Sequence, residues 1–315
     1  MTRVVEIVNR AAPNPMSTKV RHISVCICTY KRADFLKRLL QRLENQRTDG
    51  LFTYSVVVSD NDNEESARDV VRAFSSTSCL HVTYCNEPRQ NIALARNRAL
   101  EHAEGDFVAF IDDDEFPAED WLWNLFNAYQ KGGADGVLGP VVPHFESDPP
   151  RWLERGKFFD RPTHPSGYKL TWSEARTGNV LFRRDILNSI DVPFRSQFST
   201  AGEDMDFFRR LMEKGSTFIW CNEAVAFETI PPSRCKRSYL LKRAMLRGSN
   251  FPKHPADRFK NVVKSLIAVP CYAVALPILA VFGEHVFLKY LIKLLDHLSR
   301  LLAFLGLRLA IERQT

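Results

Sequence analysis

The chain has 315 residues, 45% hydrophobic and 25% charged, which excludes intrinsic disorder over most of its length. The net charge of +6 is unevenly spread: residues 234–264 hold ten Lys or Arg against Asp257 alone, whereas residues 1–233 carry −5. Seven cysteines without a CxxC pair argue against a zinc site or a disulfide framework and suit a reducing compartment.

Residues 1–20 lack the long apolar core of a secretory signal and read as a disordered leader, with Met16 a second candidate start. His22 to Thr29 is an apolar, β-branched run that predicts a buried strand. Phe35, Leu36, Leu39, Leu40 and Leu43 then recur at helical spacing. Tyr54 to Ser59 predicts a second strand running into Asp60-Asn61-Asp62, and a helix is expected over Glu65–Phe74. Leu80–Tyr84 reads as a third strand, Ile92–Ala103 as a third helix and Asp106–Ile111 as a fourth strand, running into Asp112-Asp113-Asp114. Residues 139–168 are Pro-rich, aromatic and loop-like. Ala175–Phe182 and Thr217–Phe227 read as later strands, and Asp204–Lys214 as a helix.

Alternation of helices with fully apolar strands predicts an α/β fold with a mostly parallel sheet covered on both faces. Ligands in such sheets sit at the carboxyl ends of the strands. The polar clusters Thr29-Tyr30-Lys31-Arg32, Asp60-Asn61-Asp62 and Asp112-Asp113-Asp114 fall at three such ends.

Residues 262–282 form an apolar stretch containing Pro270 and Pro277, long enough to cross a bilayer core of about 30 Å. The prolines suit a re-entrant or interfacial course equally. Glu284–Leu309 follows with an apolar face and dispersed cations, as in a helix lying on a membrane surface. The competing reading is a soluble helical hairpin packed on the preceding domain. The expected organisation is a leader (1–20), an α/β domain (21–250) and a C-terminal membrane-associated helical region (251–315).

Three adjacent carboxylates after an apolar strand repel one another unless a positive group sits among them. A hard cation, Mg²⁺ or Mn²⁺, would relieve that repulsion and could bridge to a diphosphate. A solvated acidic turn explains the triplet alone equally well. Glu203 and Asp204 open an amphipathic helix, where acids are favoured by the dipole. Either could serve as a general base, or as a plain cap. Trp152, Trp172 and Trp220 are candidates for stacking on sugar rings, or for the core.

Several motifs occur together in one order: CICTYKR, SDNDN, RQNIALARNRAL, FIDDDE, ARTGNVLFRR and AGEDMDFFRRL. In this the chain resembles the inverting family 2 glycosyltransferases of the GT-A nucleotide-diphospho-sugar transferase fold, of the bacterial exopolysaccharide type, over about Ile23–Gly248. The resemblance implies that Thr29, Tyr30 and Arg32 line a nucleotide pocket together with Asp113. It implies that Asp60 bonds the uracil ring, with Asp62 shaping that loop. Arg96 and Asn97 would face the donor, Asp112 the ribose, and Asp114 the metal. Asp204 would be the base, with Glu203 beside it. Gly178 and Asn179 would meet the acceptor.

Many relatives carry a His after the last strand of the domain, where this chain has Glu228, which becomes a second expected metal ligand. Arg234, Arg243 and Arg247 suit the phosphates of the donor or of a lipid-linked acceptor, or else membrane-surface charge. The implied partners are a UDP-sugar, a lipid-linked saccharide and a membrane surface at the cytoplasmic face of the inner membrane. Nucleic acid is not implied, because the basic stretch lacks interleaved aromatic platforms. A non-catalytic nucleotide-sugar-binding scaffold is the competing function.

Overall fold

A computed structural model describes residues 20–198, 202–249 and 258–307. The expected leader lies outside the described residues. Among the described residues, ten strands form two sheets. The larger contains β1 (Arg21–Thr29), β2 (Phe52–Asp60), β3 (Val82–Asn86), β4 (Phe107–Ile111), β6 (Gly136–Leu138), β8 (Asn179–Arg183) and β9 (Phe218–Trp220), in the order β3-β2-β1-β4-β8-β6-β9. The smaller, β5 (Glu115–Pro117), β7 (Val141–Phe145) and β10 (Ala226–Ile230), has the order β5-β10-β7. Helices α1 (Ala33–Leu43), α2 (Arg68–Ser75), α3 (Ile92–His102), α4 (Trp121–Gly132), α5 (Arg151–Gly156) and α6 (Glu203–Glu213) connect the strands. A helical end follows: α7 (Arg237–Ser249), α8 (Arg258–Ala280) and α9 (Glu284–Phe304).

β1 through β4 pair in parallel, as their apolar character predicts, because both faces are covered. Ile23, Val25 and Ile27 face one layer of core with Leu36, Leu39 and Leu40 of α1, while Cys26 packs in the opposite layer with Ala99 and Phe110. β8 runs antiparallel to both β4 and β6, so the sheet is mixed. This reversal sets Asn179, the first residue of β8, opposite Ile111, the last of β4.

The expected strand over Thr217–Phe227 divides in two. β9 joins the large sheet and β10 the small one, with Cys221–Val225 turning the chain between them. The loop-like residues 139–168 contain β7 and α5, which have too few residues for periodicity to show. Trp220 is 6% exposed within the core, so it offers no face to a sugar.

At the C-terminal end, α9 packs against α5, α7 and α8. The residues of α9 buried by this packing are Leu288, Asp296, His297 and Ser299, while Leu298 and Phe304 stay exposed. Gly248 of α7 permits this packing: a Cβ there would stand 2.3 Å from the Asp296 carbonyl oxygen. α8 is different. Residues Asn261–Ala280 have mean hydropathy 2.0, yet only 17% of that window is buried. Leu266, Ile267, Val274 and Ile278 are 58–75% exposed.

Phe207 of α6 is fully buried, stacked on Phe194 at 4.5 Å between ring centroids and tilted against Phe182. Phe207→Ala is expected to lower stability by about 3–5 kcal/mol in urea unfolding. A change below about 1 kcal/mol would show that this contact does not anchor α6.

Candidate active site

The parallel register places Thr29 beside Asp60, and β4 delivers Asp112-Asp113-Asp114 next to Thr29. Five segments then converge on these strand ends. Thr29 donates to Asp113 at 2.9 Å, and Arg32 bonds Asp113 at 2.9 Å and Asp114 at 3.3 Å. Burial, and then the neighbouring Asp114, push the Asp113 carboxyl upward, while Arg32 and Thr29 oppose that shift. The chain turns through Lys31, whose φ of 52° is uncommon for a residue with a side chain.

The loop after β2 distributes its acids differently from expectation. Asp60 is fully buried and accepts from the Asp62 and Ala67 amides and the Tyr84 hydroxyl. It shapes the loop. Asn61 binds the Glu87 and Arg89 carbonyls and the Asn91 amide, tying this loop to the start of α3. Asp62, 4% exposed, keeps one buried carboxylate oxygen without a partner, and Lys31 lies 3.9 Å from the other. The loop-shaping expected of Asp62 is thus carried by Asp60, and Asp62 is the one with an unpartnered oxygen.

On α3, Arg96 and Asn97 diverge. Arg96 is buried, bonds Glu203 and approaches Asp112 to 3.7 Å. It couples the end of β4 to the start of α6. Asn97 spends both ends of its amide on the Phe194 backbone, so it does not face a donor. Glu203 is buried against Arg96 and serves to hold α6 in place. Asp204, the next residue, is partly exposed, with one oxygen accepting from the Met205 amide.

Asn179 is likewise committed to the scaffold. Its carbonyl oxygen accepts from the indole of fully buried Trp121 at 2.7 Å, and its NH₂ donates to the Pro140 and Ala224 carbonyls. It has no group left for an acceptor hydroxyl. Gly178 is required for space: a Cβ there would lie 2.8 Å from a Glu115 oxygen and 3.1 Å from one of Asp112.

Pairing of β5 with β10 sets Glu228 directly opposite Glu115. Arg161 bonds Glu228 at 2.6 Å and approaches Glu115 to 3.8 Å. Arg234 bonds Asp114 at 2.9 Å and Glu228 at 3.4 Å. Each Glu228 oxygen is therefore held by a guanidinium group in this arrangement. Among the described residues, no three His, Cys, Asp or Glu groups are spaced to hold a metal ion. Asp112 and Asp114 still fit a hard dication chemically, since Mg²⁺-type sites use one or two carboxylates completed by substrate phosphates.

Sequence reasoning missed Glu115, Arg161 and Trp121. Glu115 adjoins the acidic triplet and continues it, which was the available signal. Arg161 lies in the loop-like stretch and has no local pattern to mark it. Tyr30 follows directly on the end of β1, and Arg243 lies on α7.

A mixed sheet whose parallel strand ends gather polar and acidic side chains is the GT-A class of glycosyltransferase fold. The sequence profile of Glycosyl transferase family 2 matches residues 24–191, more than half of the chain, and the chain belongs to that family. It is similar to the succinoglycan biosynthesis protein ExoM of Rhizobium meliloti (strain 1021), 35% identical over 77% of this chain and 78% of the relative. Glycosyltransferase AglE of Haloferax volcanii is 23% identical over 69% of this chain and 70% of its own.

Among solved structures, the mannosyltransferase PcManGT from Pyrobaculum calidifontis in complex with GDP-Man and Mn²⁺ superposes with a TM-score of 0.59. It is 20% identical, covering 90% of this chain and 88% of that one. S. aureus TarS 1-349 in complex with UDP gives 0.52 at 16% identity, covering 89% of both chains. The chain spans 39% of a longer S. aureus TarS chain.

Two substitutions test the scaffold of the site. Asn179→Ala strands a buried indole N–H and two carbonyls, and should cost roughly 3 kcal/mol in chemical unfolding. Glu115, fully buried, is held well above its ordinary value of 4.5, first by burial and then by Asp112. A carboxyl that keeps its proton when folded stabilises the fold least at high pH. Stability should therefore fall as pH rises above about 4.5, where the unfolded chain ionises first. Glu115→Gln should flatten that slope between pH 5 and pH 8. An unchanged slope would show that Glu115 ionises normally.

Proposed function

We propose that this chain transfers a single sugar from a UDP-sugar to a hydroxyl of a lipid-linked oligosaccharide in surface polysaccharide synthesis, with inversion at the anomeric carbon. The observation that carries this reading is Asp204. It is a partly exposed carboxylate at the first turn of α6, tethered through Glu203 and Arg96 to Asp112 at the donor side. In-line displacement with inversion needs one base within about 2.6–3.2 Å of the attacking hydroxyl. Asp204 takes that proton, while Glu203 stays buried as its support.

On the donor side, Thr29, Tyr30 and Arg32 border the nucleotide. Asp62, with its unpartnered oxygen, receives the N–H of the base, and Asp60 fixes the loop that presents it. Asp112 meets the ribose. Asp112 and Asp114 would hold Mg²⁺ or Mn²⁺, which when bound neutralises charge on the departing diphosphate. Asp113, paired with Arg32 and Thr29, keeps the triplet in register. Arg234 is placed to follow the phosphates, since it already rests on Asp114.

Support for nucleotide-sugar chemistry comes from the neighbours that carry UDP or GDP-Man in the same fold. Support for a polysaccharide acceptor comes from the likeness to a succinoglycan biosynthesis protein. The exposed apolar flank of α8, beside a stretch of +9 charge, suits attachment to an anionic membrane, and its expected side is the cytoplasmic face.

Titration calorimetry of UDP, with and without Mn²⁺, tests the donor site. Wild type should bind with metal, and Asp114→Ala should lose the metal-dependent part. Absence of binding under any metal condition would sink the uridine reading. Asp204→Asn should retain UDP binding but lose about 10²–10⁴-fold in kcat for sugar transfer. A loss below tenfold would place the base elsewhere.

A further inference from the structure

A second cavity, of about 210 Å³, lies behind the acidic cluster, between the Phe158–Arg161 segment, β10, α7 and α9. That volume is below the roughly 300–1,000 Å³ of a pocket enclosing a whole small molecule. It suits a headgroup whose remainder lies outside. Arg161, Arg243 and Arg247 line it, together with the carboxylates of Asp160 and Glu228, and Phe159, Leu240 and Ile292 supply apolar wall.

The charges are not equivalent. Arg161 is paired with Glu228, and Arg247 bonds Asp296 at 2.8 Å. Arg243 has no carboxylate partner among the described residues. Its guanidinium rests on the Phe159 ring, 5.8 Å from the centroid, and the residue lines the cavity. Asp160 makes no ion pair with any of the three. An uncommitted guanidinium, backed by an aromatic face and flanked by two more, is an arrangement for phosphate oxygens.

Two walls tie the cavity to its surroundings. Glu228 and Arg161 belong both to it and to the acidic cluster at the transfer site, so a group seated here borders the reacting centre. Ile292 belongs to α9, which packs on α8, and α8 turns Leu266, Ile267, Val274 and Ile278 outward. An apolar tail leaving the cavity therefore has an apolar helical surface within the same unit.

Building on the acceptor reading above, we propose that this cavity seats the phosphate or diphosphate of a polyisoprenyl-linked acceptor. Arg243 is the principal anion contact, and the lipid runs out along the α8–α9 hairpin. Arg161 joins it on the side facing the donor. The acceptor is thereby held at its phosphate end while its sugar reaches Asp204.

Titration calorimetry on the full chain, with farnesyl diphosphate, inorganic diphosphate and UDP plus Mn²⁺ as separate probes, tests this. Wild type should bind farnesyl diphosphate more tightly than inorganic diphosphate. Arg243→Ala should weaken farnesyl diphosphate at least tenfold and leave UDP unchanged, and Arg243→Lys should fall between. Retained UDP binding shows that the variant is folded. Equal affinity of wild type for the two diphosphates would overturn the lipid source, and loss of UDP with Arg243→Ala would reassign the arginine to the donor. An Arg243→Ala protein that binds farnesyl diphosphate like wild type would overturn the site. If wild type fails to bind UDP yet the farnesyl difference persists, the donor reading falls and this one stands.

Discussion

The site depends on like-charge crowding. Asp112, Asp113, Asp114, Glu115 and Glu228 are gathered at the mouth of two sheets, the first four directly after β4 and Glu228 across the ladder from Glu115. Such a gathering is tolerable only with compensating cations. Arg32, Arg96, Arg161 and Arg234 supply them, from the turn after β1, from α3, from the segment before β8 and from the turn between β10 and α7. No local stretch of chain can form this site alone. Its assembly requires the whole α/β domain to close, with β5 and β10 paired and α6 docked through Arg96 and Glu203. Even so, Glu115 keeps an oxygen with no hydrogen-bond partner, and burial drives it toward its neutral form.

These ion pairs differ from surface salt bridges, which contribute about 0–1 kcal/mol. Their weight lies in position rather than net stability, because desolvating both partners offsets much of the attraction. What they supply is a fixed geometry that a phosphate-bearing ligand can enter by exchange. An oxygen of the ligand can take over a guanidinium N–H as a carboxylate gives it up.

Much of this was legible in the sequence, and for identifiable reasons. The parallel half announces itself because each strand is a continuous apolar run ending in polar residues. The motifs at those ends, Thr29, Arg32 and Asp112–Asp114, come together in the fold, and the Glu203-Asp204 motif at the start of α6 joins them through Arg96. What stayed hidden is what periodicity and motif cannot carry. Asn97 and Asn179 sit within motif-like strings, yet their amides serve Phe194 and Trp121; only the fold shows where an amide's two ends go. Asp60 and Asp62 are chemically alike, both buried and two residues apart, and hydrogen bonding alone separates the loop former from the carboxylate with an unpartnered oxygen. β9 and β10 read as one strand because the turn between them lacks Gly and Pro. Arg161 lies in a Pro-rich segment whose course is set by tertiary contacts.

β8 runs against its neighbours, so the chain enters it at the ligand end of the sheet and leaves at the far end. The 33 residues between β7 and β8 are therefore delivered to the mouth of the site, ending at Gly178 beside Asp112 and Glu115. Arg161, from the same excursion, reaches Glu115 and Glu228, so insertions or deletions there would be felt at the acidic mouth before they reached Asp62 or Thr29. A single reversed strand thus decides which stretch of chain forms the rim of the mouth.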